Sequence, residues 1–148
     1  MRVLDLIKIK GDVVITVVES IRTHDAARVM HEHNVGALVV TTAGGQLKGV
    51  LSEREIVVVV AEHGRDALQH PIAGLMLANR PTVGPTTSVR DAMAIMTEQR
   101  VRHLPVVNDG RVIGLISLGD TVKARLSEKI AENEVLQDIA RWPTPTVA

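Results

Sequence analysis

A chain of 148 residues, 45% of them hydrophobic, is long enough to bury one sizeable core or two small coupled ones. Its 17 basic and 17 acidic residues cancel, with 8 against 9 in residues 1–74 and 9 against 8 in 75–148, so no electrostatic footprint for a nucleic-acid backbone exists. Cysteine is absent, which excludes disulfides, thiolate metal sites and thiol catalysis, and with one tryptophan and no tyrosine or phenylalanine there is no aromatic platform for stacking bases.

The first residues, "MRVLDLIKIKGD", interleave charges with aliphatics and do not read as a signal peptide. "VVITV" is extended. A helix follows, with Ala26, Val29 and Met30 at helical spacing. "ALVVT" is too short and too β-branched for a helix, "AGG" is a turn, and "QLKGVLS" is a second strand. Ser52 then stands at the N-cap of a helix through "EREIVVVVA". That densest apolar run is far below the ~18–20 residues needed to cross a bilayer, so a soluble cytoplasmic protein is expected, with no membrane partner. Residues 64–80 link to the next unit, with "PIAGLML" as a short helix carrying Pro71 in its first turn.

"PTV" is again extended. "SVRD" opens a helix in which Ser88 caps and Val89, Met93 and Met96 line one face. "HLPVV", the turn "NDG" and "RVIGLIS" make a second hairpin, and Ser117 is the next N-cap. The last helix runs until "PTP" stops it, with a stripe of Val122, Leu126 and Ile130 that resumes at Val135 and Ile139 after a slip of one.

These elements repeat. An offset of 66 pairs Asp25 with Asp91, Met30 with Met96 and Leu38 with Leu104, and an offset of 65 pairs Gly45 with Gly110, Gly49 with Gly114 and Ser52 with Ser117. The slip falls at "TTAGG", where an insertion costs least. Each copy is β-α-β-β-α and ends in a glycine, two aliphatics, a serine and, three residues on, an acid: "GVLSERE" and "GLISLGD". The expected organisation is a first copy with the N-terminal segment over 1–63, a linker over 64–80, a second copy over 81–126, and a helical extension and tail over 127–148.

Two such copies, each with that heptapeptide after its last strand, resemble a tandem pair of cystathionine-β-synthase (CBS) domains, a Bateman module of the stand-alone bacterial type. "RHLPVVNDGRVIGLISLGDTVK" and "GALVVTTAGGQLKGVLSEREIV" carry the likeness, which covers roughly residues 11–126. It implies an α/β fold whose two repeats pack sheet to sheet about a pseudo-twofold, and two modules joined as a homodimeric disc. It also implies clefts for adenosine ligands (AMP, ADP, ATP, NADH or S-adenosylmethionine), sensed on behalf of a regulated partner without bond chemistry.

The residues fit that expectation. An acid one turn into a helix can accept both hydroxyls of a ribose, the role expected of Asp120 and Glu55. Ser52, Ser117 and the free amides beside them suit a phosphate, with Arg54 as a neutralising cation. Adenine would lie between Val17, Leu51, Val83 and Ile116. Arg102 and His103 precede a strand where the family places ligand-facing side chains.

Other readings exist for most of these groups. Ser117 and Asp120 also make an ordinary capping pair, and the two roles coexist. On one helix His31 and His33 point about 200° apart and His24 lies two turns from His31, so the three do not gather as metal ligands would. No histidine or nucleophile elbow accompanies Ser117, so no enzyme is expected. The methionines are core filler. Glu55 and Val58, where the family favours Asp and often Arg, keep open a scaffolding module with empty clefts as the alternative.

Overall fold

The computed structural model describes residues 1–11 and 13–143. Helix α1 (Val3–Lys10) comes first, then strand β1 (Thr16–Val17), helix α2 (Thr23–His33), strands β2 (Ala37–Thr41) and β3 (Leu47–Ser52), and helix α3 (Glu53–His63). Two 3-10 turns, Gly64–Gln69 and Ile72–Gly74, form the linker. Helix α4 (Val89–Gln99), strands β4 (His103–Asn108) and β5 (Arg111–Ser117), and the long helix α5 (Leu118–Arg141) complete the second copy. The expected short helix after Pro71 is thus a single 3-10 turn. Helix α5 ends just before Pro143; the rest of "PTP" lies outside the described residues.

The copies share some local devices and differ in others; Arg22, at the place of Ser88, makes no side-chain cap. Ser88 caps α4 by accepting the Asp91 amide at 3.0 Å. Asn34 and Arg100, at matching positions, both end their helices in the left-handed conformation, with φ of 51° and 53°. The extra residue of the first copy sits in the hairpin turn, as the sequence offset implies. The second copy turns tightly through Asp109 and Gly110, both at positive φ, a two-residue loop that matches the twist of its strands.

β1 pairs in parallel with β2, and β2 pairs antiparallel with β3. In the second copy "PTV" does not become a full strand. Val83 alone bridges to β4, donating to Pro105 O at 3.0 Å and accepting from Val107 N at 2.9 Å.

Leu38, Val40 and Leu51 enter one core with Ala26, Met30 and Ile72. Leu104, Val106 and Ile116 enter a second core with Val89, Ala92 and Met96. The other sheet faces are buried as well, with Val39 and Val50 in the first copy and Pro105 in the second, because the copies pack sheet to sheet.

The leading segments change places. Helix α1 precedes the first copy, yet Val3, Leu6 and Ile7 are buried in the second core. Val3 N donates to Thr87 O (2.8 Å), Leu4 N to Pro85 O (3.0 Å), and Met1 O accepts from Val89 N (3.0 Å). The linker, which precedes the second copy, docks on the first with the same pattern: Ile72 N to Ile21 O (3.0 Å), Ala73 N to Glu19 O (3.1 Å), and His70 O from Thr23 N (2.9 Å). Residues 1–4 and 70–73 are therefore equivalent under the pseudo-twofold, and each copy is completed by the segment that leads into the other.

Candidate functional site

Each heptapeptide lies where a strand becomes a helix. In the second copy Ser117, extended at φ −101°, accepts the Asp120 amide at 3.1 Å, and Asp120 Oδ2 accepts the Ser117 amide at 2.9 Å. This reciprocal pair satisfies two backbone donors that the helix start would leave open. The same Asp120 oxygen also accepts Lys10 Nζ at 2.6 Å, and Lys10 donates a further bond to Leu115 O at 2.9 Å. Burial works against ionising Asp120, but the Lys10 hydrogen bond and the Ser117 amide outweigh it and hold the carboxyl below its ordinary range.

The first copy differs by one methylene. Glu55 folds back so that Oε2 accepts the Ser52 amide at 2.7 Å and the Ser52 hydroxyl as well. Its other oxygen accepts Arg80 Nη2 at 3.3 Å. The Ser52 hydroxyl therefore points at its own helix acid. Arg80 is only 9% exposed, and its Nε is buried without a hydrogen-bond partner among the described residues.

Two cavities flank the start of α5. One, of about 620 Å³, is lined by Arg102, His103, Ser117, Gly119 and Lys123 with apolar neighbours. The other, of about 380 Å³, lies against α1 and holds Lys10, Asp120, Lys123 and Ser127. Lys123 borders both. In the first copy a cavity of about 410 Å³ is lined by Arg54 and Glu55 beside Val58, Val59 and Leu75. His103 is held below the ordinary histidine value, chiefly by burial and next by the Arg80 and Lys10 cations, and is neutral near pH 7.

The structure thus brings Ser117, Arg102 and His103 together and sets Asp120 on the neighbouring side of the same helix start. Leu51 and Ile116 are fully buried and Val83 nearly so, all three inside the cores, while Val17 is part-exposed beside the first core. The sequence reading missed Lys10 and Arg80. The signal for Lys10 was the apolar spacing of Val3, Leu6 and Ile7, which makes "VLDLIKIK" an amphipathic helix with Lys10 at its end.

Among known proteins, the family model "CBS domain" matches residues 9–62 and 72–127. A mitochondrial CBS domain-containing protein of Arabidopsis thaliana is 39% identical over 109 residues; the alignment covers 71% of this chain and 53% of that one, so the chain spans about half the length of that relative. The crystal structure of a CBS-domain containing protein from Agrobacterium tumefaciens is 40% identical with a TM-score of 0.81, covering 84% of this chain and 99% of that one. A CBS domain protein of Pyrobaculum aerophilum complexed with AMP is 26% identical with a TM-score of 0.73, covering 81% and 89%.

Proposed function

The chain belongs to the CBS-domain family, and from that premise we propose that it is a regulatory pair that binds an adenine nucleotide and passes its occupancy to a partner protein. The observation that carries the reading is the second-copy helix start, where Gly119, Asp120, Arg102 and His103 surround neighbouring cavities. A helix N-terminus with a cation beside it suits a phosphate, and a carboxylate one turn in suits a ribose diol. The relative from Pyrobaculum aerophilum complexed with AMP supports the same ligand class. AMP, ADP, ATP and NADH are the first candidates, with S-adenosylmethionine next.

The site is a receptor and not a catalyst in this reading. The Ser117 hydroxyl is committed to the Asp120 amide, and Asp120 is neutralised by Lys10, so neither is poised as nucleophile or base. Among the described residues no helix is long and apolar enough to cross a membrane, and we place the protein in the cytoplasm.

The assembly we infer is a homodimer. Val57 and Val122 occupy matching positions on α3 and α5 and are 66% and 48% exposed, with Leu126 and Ile130 exposed beyond Val122. Helix α3 has no fully buried residue, so its four consecutive valines need a second surface. A twofold contact between two modules would cover both faces together.

Calorimetric titration with AMP, ADP, ATP and NADH, alongside sedimentation at micromolar concentration, tests both statements. Binding of at least one nucleotide and a mass about twice the 16.0 kDa of the chain are expected. No binding by any of them would favour the scaffolding alternative, for which the exposed stripe on α5 would be the working surface.

A further inference from the structure

Both motif acids already have a counter-ion, and in both copies it comes from the exchanged segment. Lys10 is the last residue of α1, and Arg80 follows the linker turn. Their parent segments have the same place under the pseudo-twofold but unrelated sequences, and the cations differ in chemistry and sit one position apart. The repeat as such does not produce this arrangement twice.

A ribose meeting Asp120 must take the place of an ammonium at 2.6 Å. Two neutral hydroxyl donors replace a charge-assisted bond, which is a loss for a bare nucleoside. A phosphate on the same ligand reverses the balance, because the displaced ammonium gains a new anion. Lys10 has the freedom to follow, since its side chain is 41% exposed on a flexible four-carbon stem. Arg80 has less room, but a phosphate oxygen would supply the partner that its buried Nε lacks.

The geometry points to Lys10 and Arg80 as displaceable counter-ions that make the two clefts select ribonucleotides over ribonucleosides: the diol takes the acid and the phosphate takes the cation. This rests on the adenosine-ligand reading above and adds to it a residue basis for discrimination.

The test compares AMP with adenosine in wild type, Lys10→Met and Lys10→Arg, reading the second cleft through the Gly119 amide in two-dimensional NMR titrations. Wild type is expected to prefer AMP by about tenfold or more. Lys10→Met, which frees Asp120 from a part-exposed ion pair, binds adenosine about two- to fivefold tighter and AMP more weakly, so the preference narrows. Lys10→Arg keeps the wild-type ratio and shows that position 10 tolerates change. An unchanged ratio in Lys10→Met, or weaker adenosine binding, overturns the inference while leaving the nucleotide reading intact. If neither ligand moves Gly119 in any of the three proteins, the nucleotide reading itself fails and this inference with it.

Discussion

Replacing Asp120 by alanine separates its two roles, because they have different readouts. In the folded protein the substitution removes the bond from the Ser117 amide at 2.9 Å, the Lys10 ion pair at 2.6 Å and an acid in the first turn of α5. A lost bond to a charged acceptor, a part-exposed ion pair and a helix-end charge together amount to about 2 kcal/mol of stability. For a domain of this size that lowers the melting temperature by about 4–8 °C. In the complex the same change removes the acceptor for the ribose diol, which costs about 2 kcal/mol again, or roughly thirtyfold in Kd. Thermal unfolding without ligand measures the first quantity. Calorimetry with AMP, well below the lowered midpoint, measures the second. A protein that melts lower yet binds AMP as wild type does would make Asp120 a helix cap only. One that melts and binds as wild type would refute the stability reasoning as well.

Three further outcomes follow from particular contacts. A Cβ at Gly49 would lie 2.9 Å from the Leu77 carbonyl oxygen, whereas at Gly114 it would meet the Ile7 side chain, so Gly49→Ala should destabilise by about 2–3 kcal/mol and Gly114→Ala by about 1–2 in denaturant titrations. Equal costs would contradict this. Glu55→Asp shortens the side chain that now folds back onto Ser52, and calorimetry should show tighter ribose binding in the first cleft, with two indistinguishable wild-type sites as the contrary result. His103 titrates below its reference of 6.5, so the unfolded chain takes up its proton first; this share of stability is complete above about pH 6.5 and is lost as pH falls below it. Melting temperatures from pH 8 to 5 should show a shallower acid decline in His103→Gln, and identical slopes would exclude the effect.

Much of the fold was legible because its signals are local. Capping serines, the Asp109–Gly110 turn and β-branched hairpin strands act over a few residues, and their recurrence revealed the repeat without long-range information. The burial of Leu51 and Ile116 in the cores was not legible. In a strand covered on both faces alternation carries little signal, so pattern alone does not say which side chains meet the helices and which meet the other copy. In the second copy the leading extended stretch makes a single bridge, from Val83 to β4. The exchange of leading segments, and with it Lys10 and Arg80 as partners of the motif acids, depends on packing between residues about 110 and 25 positions apart. No spacing rule reaches that far.

That exchange places each counter-ion on the segment that leads into the opposite copy. Arg80, the counter-ion of Glu55 in the first copy, lies three residues before Val83, which is bonded on both sides to β4 beside His103. Lys10, the counter-ion of Asp120 in the second copy, lies six residues before Thr16 at the start of β1. We expect displacement of either cation to be felt at the leading extended residues of the opposite copy. Coupling of this kind must be symmetric in free energy, whatever its sign. If it operates, Asp120→Ala, which releases Lys10, should shift nucleotide affinity at the first cleft by about fivefold or more, the lower end of ordinary coupling energies. The Arg54 amide reports that cleft, since Arg54 and Glu55 line it. An Arg54 titration that is the same in wild type and Asp120→Ala would show that the two copies share a scaffold but respond independently.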